Sequence, residues 1–167
     1  MILLSLNIRG IGGTLKAASV RRLLDRTRPD IVFFQETLSD EKKARDFLLQ
    51  LRPSWAATTV NSLGTLGGLL VAWDPIFFDL KPFLTVGGIL LIGSCVSSKK
   101  KVAFLNIYGP CKEQQHFWST FAKSRLHTIP NILIAGDLNF ILSSEENWGG
   151  SFALGSFEFF LETYSHP

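Results

Sequence analysis

The sequence predicts an α/β protein built in layers around a largely antiparallel middle. Three features carry that reading. Residues 1–53 alternate short apolar runs with amphipathic helical segments, and residues 55–108 string together five β-type runs divided by turn residues. Residues 113–138 then return to one helix and one apolar strand.

Each element has its own warrant. Residues 2–7 are an apolar run ending on Asn7, followed by Gly10, Gly12 and Gly13, which makes a buried strand and a loop. Within 16–26, Ala17, Val20 and Leu24 fall at helical spacing, while Arg21, Arg22 and Asp25 take the other side. Pro29-Asp30 stops that helix and residues 31–36 form a second buried strand. Ser39 or Asp40 caps a second helix through Leu51, with Ala44, Phe47, Leu48 and Leu51 inward, and Pro53 ends it. The β-type runs are 55–60, 67–73, 77–86, 89–96 and 102–108, with turns at 61–64, Asp74-Pro75, Gly87-Gly88 and 97–101. Residues 113–126 read as a helix with Phe117, Trp118, Phe121 and Ala122 inward; 131–138 read as a buried strand, and 158–163 lie in a last helix. No repeat, linker or charge block interrupts the chain, so residues 1–167 read as a single domain.

Composition narrows the functional classes. Hydrophobic residues make up 46% and charged residues 19%, which excludes disorder. Seventeen Lys and Arg against fourteen Asp and Glu leave +3, a balance that permits an anionic partner without requiring one. Cys95 and Cys111 are too few for a disulfide scaffold and form no CxxC pair, so a reducing compartment is the default. Residues 82–98 are uncharged, yet Gly87, Gly88, Gly93 and four hydroxyl residues read better as two buried strands than as a membrane span. No membrane association is expected.

Three apolar strands end on polar groups that packing does not require: Asn7, then Gln35-Glu36, then Asp137 and Asn139 in Gly136-Asp137-Leu138-Asn139. Any one of them, taken alone, is a loop cap. Together they point to one cleft, because ligand sites in layered sheets gather beyond strand ends. Carboxylates beside an amide oxygen suit a hard cation such as Mg²⁺, which takes few protein ligands. A fourth strand ends at Tyr108 before Gly109-Pro110; its phenol is either an ordinary half-buried group or a donor toward a phosphoryl group.

These residues, in Leu6-Asn7-Ile8-Arg9-Gly10, Phe34-Gln35-Glu36-Thr37, Asn106-Ile107-Tyr108-Gly109-Pro110 and Gly136-Asp137-Leu138-Asn139, form an ordered set. The set resembles the endonuclease/exonuclease/phosphatase family, the fold of DNase I and the apurinic endonucleases. Within it the chain looks most like the endonuclease domain of plant LINE-type (non-LTR) retrotransposons. Pro29-Asp30-Ile31-Val32, residues 67–74 and Phe117-Trp118 add to the likeness. The resemblance implies a four-layer αββα sandwich and a Mg²⁺-dependent (or Mn²⁺-dependent) hydrolase acting on the phosphate backbone of DNA. By resemblance Glu36 is the principal metal carboxylate, with Asn7 near the metal or a phosphate oxygen. Asp137 is similar to the residue that activates or orients water, Asn139 to a phosphoryl donor, and Tyr108 to a supporting phenol. Fusion to a reverse transcriptase and a nuclear site of action follow from the same resemblance.

The sequence also departs from the family pattern. Family members close with a Ser-Asp-His signature and carry further strands after the Gly-Asp-Leu-Asn motif; here the chain runs to Tyr164-Ser165-His166-Pro167, which lacks the Asp. The expectation is a domain incomplete at its C-terminus, lacking strands, and weak or inactive in hydrolysis. A mean hydropathy of +0.21 agrees with a core short of cover. His116 and His127 fall on the helix after Tyr108 as solvated residues. Lys99-Lys100-Lys101 reads as a hairpin turn, whereas Arg9, in the loop after Asn7, is a candidate for phosphate and DNA contact. Two other functions stay open: a small-molecule or lipid phosphoesterase of the same fold, and a catalytically dead DNA-binding remnant.

Overall fold

The computed structural model describes residues 1–61, 67–111 and 113–139. Strand β1 (Leu3–Asn7) lies parallel to β2 (Ile31–Gln35), with helix α1 (Thr14–Thr27) as the crossover. Helix α2 (Glu41–Leu51) follows, then β3 (Ala56–Val60) and β4 (Leu69–Trp73). β4 runs antiparallel to both β2 and β3, giving the order β1-β2-β4-β3. The second sheet takes β5 (Phe78–Thr85), β6 (Gly88–Cys95), β7 (Lys101–Tyr108) and β8 (Ile132–Asp137) in that order. It is antiparallel except for β7 and β8, which are parallel and joined through α3 (Gln114–Ser124) and a 3-10 turn at Leu126–Thr128.

Strand parity explains why the layers stack as they do. Successive strand side chains point to opposite faces, so a strand covered on both sides must be apolar throughout. Ile31 and Phe33 of β2 meet Phe78, Ile89, Leu91 and Phe104 of the second sheet. Val32 and Phe34, the alternate residues, pack instead on Val20 and Leu24 of α1 and on Phe47 and Leu48 of α2. In β7, Leu105 and Ile107 turn outward onto Trp118 and Phe121 of α3. Helix, sheet, sheet and helix therefore form four layers.

The α2 expectation holds in detail. Asp40 is its N-cap, accepting from the Lys43 amide at 2.9 Å, and Ala44, Phe47, Leu48 and Leu51 are its buried face. Other readings need correction. Only part of 77–86 is buried: β5 is a sheet edge, with Phe83 and Leu84 49% and 72% exposed, because Pro82 lacks the N–H that an inner strand would need. β8 is half-buried rather than buried, being the other edge among the described residues, with Ile134 37% exposed. The helix at 113–126 is shorter than expected: it breaks at Ser124, and His127 sits in the 3-10 turn with its ring 6.5 Å from Phe121. His127 is thus half-buried, whereas His116 is exposed. The last helix read at 158–163 lies outside the described residues. No helix among those described is long and apolar enough to cross a membrane.

Topology also decides where the strand ends meet. The two parallel pairs finish in step: Asn7 is the register partner of Gln35, and Tyr108 that of Asp137. All four strand ends lie on one rim of the sandwich.

Phe33 is fully buried between the sheets, and Asp40 caps from the surface. Phe33→Ala is expected to destabilise the fold by about 3–5 kcal/mol and Asp40→Ala by about 1 kcal/mol, read as urea midpoint shifts at unchanged slope.

Candidate active site

At that rim the Asn7 side-chain amide lies between two carboxylates. Its Nδ2 donates to Glu36 Oε1 at 2.8 Å and to Asp137 Oδ2 at 2.6 Å, so one NH₂ group links the first sheet to the second. The Tyr108 hydroxyl donates to the same Glu36 Oε1 at 3.0 Å. Asp137 Oδ1 accepts from the Asn139 backbone N–H at 3.0 Å. Residues from the ends of four strands are thereby joined in one network.

Local backbone geometry aims Glu36 into it. Glu36 is the first residue past β2 and has φ +54, a left-handed conformation that costs a non-glycine residue roughly 1–2 kcal/mol. Neighbouring amides hold the turn: Gly10 N–H donates to the Glu36 carbonyl at 2.7 Å, and Leu38 N–H donates to that of Gly67 at 2.6 Å. Gly67 also supports the turn sterically. A Cβ there would stand 2.8 Å from Glu36 Cα, closer than packed carbon atoms come. By sequence Gly67 opens the β-type run 67–73; the Gly67-Gly68 doublet at its start is the available signal for a close backbone approach.

The remaining predicted residues fall around this network. The Asn139 amide donates to the Gly109 carbonyl at 2.5 Å, and its own carbonyl accepts from Gln114, so Asn139 clasps the turn after β7. Arg9 is exposed with φ +48, and its backbone N–H donates to Asn7 Oδ1 at 3.2 Å. His116 and His127 take no part in the network. Lys99 and Lys100 fall in the β6–β7 turn, and residues 62–64 of the turn read at 61–64 lie outside the described residues.

The electrostatic character follows from these contacts. Burial, reinforced by the hydrogen bond to the Glu36 carboxylate, pushes the Tyr108 phenol up to about 12, so it remains a proton donor through the neutral range. Among the described residues, no cluster of three or more His, Cys, Asp or Glu side chains could hold a metal ion. The donor set is instead two carboxylates and one amide, and no described donor reaches Glu36 Oε2. That sparse oxygen set fits a hard divalent cation that keeps most of its water.

The model of the endonuclease/exonuclease/phosphatase family matches residues 4–163. The chain belongs to this family. Solved structures repeat the fold of this family member at low identity. The AP endonuclease of Leishmania major superposes with a TM-score of 0.69 at 16% identity, over 98% of this chain and 65% of its own. The endonuclease domain of TRAS1, a telomere-specific non-LTR retrotransposon, gives 0.66 at 10% identity, covering 98% and 70%. TDP2 from C. elegans gives 0.57 at 20% identity, covering 88% and 49%. The chain thus spans less than two thirds of the length of the AP endonuclease, and about half that of TDP2. No curated protein matches the sequence. The DNase I-like sandwich expected from the resemblance is therefore the observed fold.

A raised phenol carries a stability consequence. Tyr108 is protonated in both folded and unfolded chains below about pH 10, the unfolded value, so its contribution is complete there. As pH climbs from 10 toward 12 the unfolded chain loses its proton first, and that contribution disappears. The phenolate absorbance of the chain minus that of Tyr108→Phe is expected to rise near pH 12, and the stability advantage over Tyr108→Phe to shrink across the same interval.

Proposed function

We propose that the chain is a Mg²⁺-dependent phosphodiester hydrolase domain of the DNA endonuclease type, spanning residues 1–167 as one domain. The observation that supports this most is the convergence of Asn7, Glu36, Tyr108 and Asp137 through hydrogen bonds of 2.6–3.0 Å across two sheets. Glu36 is the carboxylate that holds the cation, with the Asn7 amide beside it; Mn²⁺ serves in place of Mg²⁺. When bound, the cation supplies Lewis-acid stabilisation of charge on the phosphoryl oxygens.

The chain's own residues do the rest. Asp137 takes a proton from the attacking water as its oxygen bonds to phosphorus, and the bond to the leaving oxygen breaks in line with that attack. The leaving oxygen takes its proton from solvent. Asn7 keeps the two carboxylates from separating, since both draw on one NH₂ group. Tyr108 donates from a site where it does not ionise near neutrality, so it steadies Glu36 and faces the developing negative charge as a neutral donor. Asn139 fixes the turn beside Asp137, and Arg9 meets the DNA phosphates at the exposed mouth.

Structural likeness to proteins named as an AP endonuclease and a retrotransposon endonuclease supports DNA as the substrate class. An origin in a LINE-type element, with fusion to a reverse transcriptase and action in the nucleus, belongs to the same reading.

Nicking of supercoiled plasmid with Mg²⁺ against EDTA tests the proposal. The expected result is weak Mg²⁺-dependent nicking that is lost in Glu36→Ala and Asp137→Asn and falls about 10-fold in Tyr108→Phe. Nicking equal in wild type and Glu36→Ala would overturn it. Turnover of a small phosphomonoester without nicking would favour the phosphatase branch of the family instead.

A further inference from the structure

Next to the site lies a second polar contact between the sheets that none of the roles above uses. Gln35, 1% exposed, precedes Glu36; Asn106, fully buried, stands two residues before Tyr108 on the same strand face. Gln35 Nε2 donates to Asn106 Oδ1 at 2.6 Å and reaches Ser5 Oγ at 3.2 Å, while Asn106 Nδ2 donates back to the Phe34 carbonyl at 3.5 Å. Two primary amides thus face each other between sheets whose facing side chains are mostly apolar.

From this juxtaposition we infer that Gln35 and Asn106 are positioning residues: a buried amide bridge that sets the offset between the sheets and so brings Glu36 within reach of Tyr108 and Asp137. Apolar contacts between Phe33, Phe78, Ile89 and Phe104 hold the sheets together but have no direction, so small slides cost them little. Hydrogen bonds lose strength with displacements of a few tenths of an ångström and with misalignment. Asn7–Asp137 and Tyr108–Glu36 are themselves part-buried contacts at the rim. Among the described hydrogen bonds between side chains of the two sheets, only Gln35–Asn106 is sealed from solvent on both sides, where exchange with water cannot replace it.

The register carries the constraint outward. Gln35 is directly bonded to the Glu36 turn, and on β1 its register partner is Asn7. Asn106 pairs with Ala135, and one strand-face step onward Tyr108 pairs with Asp137. Fixing Gln35 against Asn106 therefore fixes all four site residues within a single pleat. A core amide pair kept only for stability would not need to stand at this one position.

The distinguishing test is the double variant Gln35→Met/Asn106→Leu. It removes both amides together at nearly constant volume, so neither is left buried without the other; the half-buried Ser5 hydroxyl and the Phe34 carbonyl each give up one long contact, and the fold survives. The single variants Gln35→Met and Asn106→Leu are expected to lower Tm, and the double variant to recover most of that loss. A crystal structure of the double variant is expected to show the Tyr108 Oη–Glu36 Oε1 and Asn7 Nδ2–Asp137 Oδ2 separations, 3.0 and 2.6 Å in the wild type, lengthened beyond hydrogen-bonding distance. This readout does not depend on catalysis. A folded double variant that keeps both separations at their wild-type values would overturn the inference.

Catalytic relevance rests on the hydrolase reading above and has its own arm. Where wild type nicks plasmid, the double variant is expected to lose about 10 to 10²-fold in kcat with KM within about twofold, despite its recovered Tm. Recovery of kcat together with Tm would overturn the positioning role. Lengthened separations in the double variant, with no nicking by the wild type, would sustain the bridge while sinking the hydrolase reading.

Discussion

Two sheets packed face to face through hydrocarbon have no inherent alignment, yet the chemistry-bearing groups of this chain sit half on one sheet and half on the other. The Asn7 amide resolves this at the rim, where a single NH₂ group satisfies Glu36 Oε1 and Asp137 Oδ2 across the gap. The residues joined in the second of these bonds are 130 positions apart in sequence. Such a contact forms only after both parallel pairs, β1–β2 and β7–β8, have set their ends in step. The site is thus a consequence of topology before it is a matter of side-chain chemistry.

Strain collects where that alignment demands it. Arg9, Glu36, Leu38 and Asn139 all take left-handed backbone conformations within a few residues of the network. Gly136, with φ +151, lets β8 approach β7 so closely that a Cβ would lie 1.8 Å from the Ile107 carbonyl oxygen. Asp137 follows directly, so the glycine determines how near that carboxylate comes to Tyr108. Positions of this kind persist only where surrounding hydrogen bonds over-determine them, and the amides of Gly10 and Leu38 do so around Glu36.

Away from the rim the molecule is conventional. α1 and α2 cover one sheet and α3 the other, each through a stripe of buried apolar residues. The β5 edge, with Pro82 in the strand and Lys81 exposed beside it, presents an incomplete ladder that discourages pairing with another chain. The lysines of the β6–β7 turn sit at a hairpin, at the opposite end of β7 from Tyr108.

Most of the local architecture was legible in the residues. Apolar runs and their alternation gave every described strand to within one or two residues, and the spacing of Ala44, Phe47, Leu48 and Leu51 gave the buried face of α2. Order along the chain also marked Asn7, Glu36, Tyr108 and Asp137 as strand-end groups, because polarity at the end of an apolar strand needs no tertiary knowledge to notice. Which strands are edges was not legible: β5 and β8 read as buried, since one apolar run looks the same whether one or both of its neighbours are present. Nor could the sequence distinguish Gly67 as a support for Glu36 from an ordinary turn residue, or show that Gln35 and Asn106 meet. Those facts concern distances between segments separated by 30 to more than 70 positions, as with Glu36 and Gly67 or Gln35 and Asn106. Sequence pattern reports the period and polarity of one segment; only the packed sheets decide which segments face each other, and at what offset.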